Sequence, residues 1–295
     1  MRYSLLNRFQ GALLGAALGE ISGSQQLGRS LILAPQIDIE VVRTQIAVKG
    51  FESLIRQGRL NLKDWVAHLP PSAQLETLTV SETAIITLPI ALFTHENLVT
   101  LREQVTLASS TFRQGAFPDS YGEFVMGYAI AQALTEKLNP QTLIAQILHY
   151  LQDSDHPLLQ QLVQVQTLLE QRASLTTAVN HLCHNPDSQE IAIALAFYCF
   201  LSTPEDFRLS ITRATRTGYQ PQITSALTGI LSGVYNSLIG IPLAWRLAFD
   251  NQDQTKMLPL ASRLVAVWSG AYHPATSLQE YHQMAVAAPR VIQPR

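Results

Sequence analysis

The sequence predicts an all-α fold, and three observations support the prediction. Glycines recur at every fourth position near the N-terminus, at Gly11, Gly15, Gly19 and Gly23 in RFQGALLGAALGEISG. Signals that start and stop helices follow one another about every fifteen to twenty residues. No two alternating strand-like segments are joined by an Asn-Gly or Asp-Gly turn, so nothing in the sequence indicates a sheet.

The glycine stripes predict which helices pack together. Each glycine inside a helix costs about 0.5–1 kcal/mol relative to alanine, so a stripe on one face indicates that another backbone approaches closely. Gly229 and Gly233 repeat the spacing in ITSALTGILSGVYNSLIGIP. We expect these two helices to pack against each other and their ends to face a common cleft. The first helix is predicted to end in a turn at residues 20–23.

Other helices are predicted from their end signals. Ser120 and Glu123 have the spacing of a capping box for YGEFVMGYAIAQALTEK. Thr203 is predicted to cap another helix later in the chain, with Pro204 in its first turn. The segment EIAIALAFYCFL is apolar on nearly all sides, which predicts a central helix. After about residue 250, KMLPLASRLVAVW and ATSLQEYHQMAV are interpreted as packing helices, followed by a short flexible tail.

Composition limits the possible classes of protein. Of the 295 residues, 47% are hydrophobic and 14% are charged, against a typical charged fraction of roughly 25%. We expect a single helical domain over residues 1–295, with self-association because so little of the chain is charged. A net charge of −2 and scattered basic residues argue against a nucleic-acid partner. Two cysteines without zinc-type spacing favour a cytoplasmic location.

One uncharged stretch, from Ile223 to Trp245, has about the length of a membrane span. Its Thr, Ser, Asn and Gly residues favour a buried central helix instead, with a transmembrane helix as the alternative. His181, Cys183 and His184 in HLCH suggest a metal site, but three residues cannot complete a tetrahedral shell. We interpret them as the end of a helix.

Four segments in order resemble the sequence blocks of the ADP-ribosylglycohydrolase family. RFQGALLGAALGEISG resembles its glycine-rich first helix and Gly-Asp-Ala-Leu-Gly-like turn. VVRTQIAVKGFESLIRQGRLNLKDW is similar to its Thr-Asp-Asp-Thr block, and VSETAIITLPIAL to its Gly-Asn-Gly-Ala-x-Met-Arg-x-x-Pro block. TGYQPQITSALTGILSGVYNSLIGIPLAW resembles its Gly-Gly-Asp-Thr-Asp-Thr block. The resemblance implies a multi-helix bundle and, in active relatives, hydrolysis of ADP-ribosyl bonds with two magnesium ions.

The residues that differ from these blocks imply that the metals are lost. The aspartates of the second block align with Val42 and Arg43, and only Thr44 of that motif is retained. Those of the last block align with Gln220 and Gln222. Magnesium requires near-octahedral oxygen coordination with anionic ligands, which these side chains do not supply. We therefore expect no metal and no other cofactor.

The resemblance places the candidate cleft at nine residues. They are Glu20, Ser22, Arg43, Thr44, Ser81, Glu82, Tyr219, Gln220 and Gln222. Glu20 and Glu82 are the only candidates for acid–base catalysis, but we favour the interpretation that they serve helix ends. Arg43 either replaces the metal charge and pairs with Glu20 or Glu82, or points into solvent. Tyr219 either stacks on a base or belongs to the core.

Three functions follow from this interpretation. The first is a catalytically inactive relative that binds an unknown partner protein, because packing residues are retained while site residues are not. The second is a module that binds ADP-ribose or a related nucleotide without cleaving it. The third is a residual hydrolase that cleaves ADP-ribosyl N- or O-glycosidic bonds, either without a metal or with a weak metal site rebuilt from Glu20, Glu82 and other acids.

Overall fold

Every regular element in the computed structural model is a helix, which confirms the all-α prediction for the residues that the structure describes. These are residues 4–24, 42–70, 78–113, 120–152, 155–184, 190–249 and 254–271. The first eight helices are α1 (Leu5–Ser24), α2 (Val42–Gln57), α3 (Leu62–Ala67), α4 (Val80–Ile86), α5 (Leu88–Phe93), α6 (Leu98–Phe112), α7 (Tyr121–Leu134) and α8 (Leu143–Leu151). The remaining helices are α9 (Pro157–Glu170), α10 (Leu175–Leu182), α11 (Ile191–Ser202), α12 (Phe207–Thr215), α13 (Pro221–Gly240), α14 (Leu243–Phe249) and α15 (Gln254–Trp268).

The helices α1 and α13 form the predicted close pair. A Cβ atom added to any glycine of the first stripe would meet the backbone of α13. The facing pairs are Gly11 with Gly233, Gly15 with Gly229, Gly19 with Ser225, and Gly23 with Pro221. Along these pairs the residue number rises in α1 and falls in α13, so the two helices run antiparallel. The C-terminal end of α1 therefore lies beside the N-terminal end of α13.

The C-terminal part of α13 contains a break at Ser237. This buried residue has φ 61° and ψ 179°, a conformation that is otherwise almost confined to glycine. Arg8, from the start of α1, donates hydrogen bonds to the carbonyl oxygens of Val234 (3.2 Å) and Tyr235 (3.4 Å) just before the break. The buried guanidinium thus satisfies carbonyl groups that a continuous helix would have bonded itself.

The predicted central helix is confirmed. In α11, every residue from Ile191 to Leu201 is buried. The uncharged stretch of α13 is also largely buried, in agreement with the favoured interpretation of residues 223–245. None of the helices in the described ranges is long and apolar enough to cross a membrane. HLCH lies at the end of α10 as predicted, and no group of three or more potential metal ligands occurs among the described residues.

Several predicted helix ends are wrong. α1 continues through residues 20–23 to Ser24, because Gly19 and Gly23 still pack against α13 there. The Ser120 hydroxyl bonds Thr106 (2.8 Å) instead of capping α7. Helix α12 begins at Phe207 with Asp206 as its cap, not at Thr203, because the Asp206 carboxylate accepts from the Leu209 N–H (2.8 Å). The segment ATSLQEYHQMAV and the tail lie outside the described residues.

Candidate functional site

The ends of four helices meet at the C-terminal end of α1. α2 and α4 each bring their first turn to this point, and the contact of Gly23 with Pro221 shows that α13 begins here. Among the polar side chains at these helix ends are Glu20 from α1, Arg43 from α2 and Glu82 from α4, which form two ion pairs. These three side chains come from segments that are far apart in sequence and lie close together in the structure.

Glu20 is a buried carboxylate that binds the first turn of α2. Its Oε2 accepts hydrogen bonds from the backbone N–H of Thr44 (3.1 Å) and from the Thr44 hydroxyl (2.8 Å). Its Oε1 accepts from the backbone N–H of Arg43 (3.3 Å). The first N–H groups of a helix lack intrahelical partners and carry partial positive charge, so a carboxylate is well placed there. The interpretation that Glu20 serves a helix end is confirmed, and the helix that it serves is α2.

Glu82 serves the end of its own helix. Thr79 and Glu82 form a reciprocal capping box at the start of α4. Glu82 Oε2 accepts from the Thr79 N–H and hydroxyl, both at 3.0 Å, and the Glu82 N–H donates to the Thr79 hydroxyl oxygen at 3.2 Å. Thr79 was not among the predicted residues, although its spacing of three from a glutamate is the sequence signature of a capping box.

Arg43 lies between the two carboxylates. Its Nη2 and Nε donate to Glu82 Oε1 at 2.7 and 3.0 Å. Its Nη1 lies 3.5 Å from Glu20 Oε1 and 3.4 Å from the side-chain carbonyl oxygen of Gln222. The Arg43 side chain is only 24% exposed. The solvent-facing alternative for Arg43 is therefore wrong, and the pairing alternative describes its position.

The charge of Arg43 affects the ionisation of Glu82. Burial by itself raises the pKa of the Glu82 carboxyl, but hydrogen bonds from Thr79 and Arg43 and the positive charge of Arg43 outweigh burial. The net result is a pKa below the usual glutamate value. Glu82 is consequently an anion at neutral pH.

The other predicted site residues occupy different surroundings. The Ser22 hydroxyl donates to the carbonyl oxygen of Leu18 (2.6 Å), and Ser81 is buried within α4. Tyr219 is partly buried, and burial raises the pKa of its hydroxyl. Gln220 is the left-handed residue (φ 37°) before α13.

The side chains at this site do not fit a pair of magnesium ions. Where the resemblance requires two aspartates, Val42 supplies no oxygen and Arg43 supplies a cation that bonds both carboxylates. Gln222 supplies a neutral oxygen, and that oxygen already accepts from Arg43. A guanidinium placed among these oxygens opposes a second cation by charge and by volume. No catalytic step through magnesium follows from this arrangement.

Comparison with known proteins identifies the family. The sequence model of the ADP-ribosylglycohydrolase family matches residues 1–274, which is most of the chain. The chain belongs to the ADP-ribosylglycohydrolase family. A solved structure described as an "ADP-ribosylglycohydrolase-related protein complex" shares its fold, with a TM-score of 0.62 at 21% sequence identity. The match covers 90% of this chain and 99% of that chain. No curated protein matches the sequence.

Membership of the ADP-ribosylglycohydrolase family accounts for the scaffold. The helical fold agrees with the family match and with the structural relative. The chemistry that the site can support depends instead on the hydrogen bonds that the side chain of Arg43 makes in this chain.

Proposed function

We propose that this chain is a catalytically inactive ADP-ribosylglycohydrolase that acts by binding a partner protein or an ADP-ribose-like ligand. The observation that carries the proposal is the position of the Arg43 guanidinium, which bonds both Glu20 and Glu82. Arg43 supplies from within the chain the positive charge that the resemblance assigns to metal ions. Bound in this way, it neutralises one of the two carboxylate charges.

The engagement of both carboxylates supports this proposal. Glycoside hydrolysis with two carboxyl groups requires one of them to be protonated so that it can act as the general acid. Glu82 has a lowered pKa, which opposes protonation. Glu20 accepts hydrogen bonds from both backbone and side chain of Thr44 and holds the first turn of α2. Each carboxylate therefore has a structural role that a catalytic cycle would interrupt.

The charge of the cluster favours a protein partner over a nucleotide. Two carboxylates and one guanidinium leave one formal negative charge. Negative charge at this point repels the pyrophosphate group of an ADP-ribose-like ligand. ADP-ribose binding without hydrolysis is our second candidate, supported by the family match, and a residual hydrolase is the third.

The test combines calorimetry with an activity assay. Titration of the protein with MgCl₂ should give only heats of dilution, and incubation with an ADP-ribosylated donor should release no ADP-ribose. A family member that retains the Thr-Asp-Asp-Thr block is the positive control for both measurements. Saturable magnesium binding, or release of ADP-ribose that Glu20→Gln or Glu82→Gln abolishes, would overturn the proposal. Thermal stabilisation by ADP-ribose would favour the second candidate.

The cytoplasmic location and self-association belong to the same proposal. The two cysteines, Cys183 and Cys199, are free thiols, which suits a reducing compartment. Burial raises the pKa of Cys199 to about 12, so this thiol is unreactive at neutral pH. Light scattering of the purified chain measures its mass in solution and decides whether it self-associates.

A further inference from the structure

We propose that the oxygens around Arg43 form a guanidinium-selective site that the chain closes with its own side chain, and that shortening this side chain opens the site to a free guanidinium compound. The inference rests on the proposed function, because it assumes that Arg43 rather than a metal supplies the positive charge. It adds the class of ligand that the site selects.

The acceptors match the shape of a guanidinium group. Three side-chain oxygens, the Oε1 atoms of Glu20, Glu82 and Gln222, each lie within 3.5 Å of a nitrogen of the same guanidinium. Glu20 lies in α1, Glu82 in α4 and Gln222 in α13, so the oxygens surround the guanidinium from three helices. Glu82 Oε1 accepts hydrogen bonds from both Nε and Nη2 of Arg43. The Oε1 atoms of Glu20 and Gln222 both accept from Nη1. A planar cation with several N–H donors satisfies such a set better than a point charge does.

Contacts that do not involve the Arg43 side chain hold both carboxylates in place. Glu20 is fixed by Thr44 through its Oε2, and Glu82 by Thr79 through its own Oε2. The backbone N–H of Arg43 also donates to Glu20, and this bond survives any substitution of the side chain except proline. The acceptor oxygens are thus positioned in advance, which lowers the entropy cost of binding a ligand between them.

The packing of α1 on α13 fixes the distance across the site. A Cβ on Gly19 would meet the backbone of Ser225, one turn after Gln222. Because this contact joins backbone to backbone, the backbones at Glu20 and Gln222 cannot come closer to fill the space left by a shortened Arg43. The space remains open on one side, since the Arg43 side chain is 24% exposed.

The same geometry disfavours magnesium. Octahedral coordination of magnesium requires about six oxygens at short, regular distances. Among the described residues, three side-chain oxygens accept hydrogen bonds from the guanidinium, and one of them belongs to a neutral amide. Methylammonium has the charge of methylguanidinium but not its planar fork of donors, so it tests shape separately from charge.

The experiment is chemical rescue of Arg43→Ala. Methylguanidinium at about 10 mM, far below denaturing concentrations, should raise the melting temperature of Arg43→Ala and bind it in calorimetry. The affinity should exceed that of methylammonium or MgCl₂ by at least about tenfold. Arg56→Ala is the matched control, because it removes an arginine that pairs with Asp64 at 2.7 Å on the surface. It should show no rescue.

The outcomes separate the inference from the proposed function. No uptake of methylguanidinium by Arg43→Ala, or equal rescue by all three cations, would overturn the inference. The proposed function would stand in either case if the wild-type chain binds no magnesium and releases no ADP-ribose. The double variant Arg43→Ala/Glu82→Gln should lose the binding. If Arg43→Ala does not fold without ligand, its refolding yield is measured instead. A higher yield with methylguanidinium than with methylammonium would support the inference, and equal yields would overturn it.

Discussion

Gly15 in α1 and Gly229 in α13 pack directly against each other. A Cβ added to Gly15 would meet the carbonyl oxygen of Gly229, and a Cβ added to Gly229 would meet the carbonyl oxygen of Gly15. The contact is therefore backbone to backbone in both directions, and neither side has a flexible group that could yield. This pair fixes the separation of α1 and α13, which in turn places Glu20 opposite Gln222.

Substitution of Gly15 should be strongly destabilising. We expect Gly15→Ala to lower the free energy of unfolding by about 3 kcal/mol, because the added methyl group forces two helices apart. Chemical denaturation measures the change. Gly127→Ala in α7 is the matched control, since its Cβ would meet side-chain atoms alone, the terminal methyl carbons of Leu101 at 3.2 and 3.3 Å and the Ala91 Cβ at 3.6 Å. Equal losses in the two variants would contradict the assigned role of the stripe.

Removal of the Glu82 charge should destabilise the protein at neutral pH. We expect Glu82→Gln to cost about 2 kcal/mol at pH 7, because Arg43 loses its shortest ion pair while glutamine can still complete the capping box. Glu52→Gln, in a half-exposed pair with Lys49, should cost under about 0.5 kcal/mol.

The pH dependence of this variant gives a second measurement. The pKa of Glu82 in the folded protein lies below its ordinary value of 4.5, so the charge stabilises the fold above that pH. This stabilisation is lost as the pH falls through the folded pKa. The difference between wild type and Glu82→Gln should therefore shrink below about pH 4. A difference that stays constant from pH 7 to pH 3 would contradict the role of the charge.

His95 should make the fold sensitive to acid. The ring is buried between Phe9 and Trp268, with centroid distances of 5.8 and 4.9 Å, and burial lowers the pKa of His95 from 6.5 to about 4. The unfolded chain therefore binds a proton at higher pH than the folded chain does. The difference corresponds to about 3 kcal/mol of stability that is present above pH 6.5 and is lost as the pH falls towards 4.

The variant His95→Phe isolates this effect. Phenylalanine keeps an aromatic ring in the contact but cannot be protonated, so its unfolding free energy should fall less between pH 7.5 and pH 4.5 than that of the wild type, by up to about 3 kcal/mol. Calorimetric melting across this range provides the comparison. His149→Gln, at an exposed position of α8, should follow the wild type. An unchanged slope in His95→Phe would show that other groups cause the acid sensitivity.

Relief of the strain at Ser237 should stabilise the protein. Ser237→Gly places a residue without a Cβ in the conformation with φ 61°, and we expect a gain of about 1 kcal/mol after loss of the bond from the Ile239 N–H (3.3 Å). Ser109→Gly, inside the regular helix α6, should instead lose about 1 kcal/mol. Thermal unfolding distinguishes the two. Destabilisation by Ser237→Gly would argue against strain at the break.

Elements with a local signal were predictable, and elements that depend on distant contacts were not. The spacing of Gly11, Gly15 and Gly19 reports a close approach wherever the partner lies, and the apolar sequence of α11 reports burial on all sides. The predicted end of α1 is wrong because Ser22 and Gly23 are residue types that are common in turns. Packing on Pro221 keeps that segment helical.

The residue types along the chain are enough to predict the helical class and the family, and through the resemblance they imply that the metal-binding aspartates are replaced, since each of these depends on which residue occupies which position. The tertiary structure decided what Arg43 does. Glu20 and Glu82 lie 23 and 39 residues from Arg43, and local spacing cannot show which distant carboxylate a side chain will reach. Only the antiparallel packing of α1 on α13, together with the first turns of α2 and α4, brings these three charges within bonding distance.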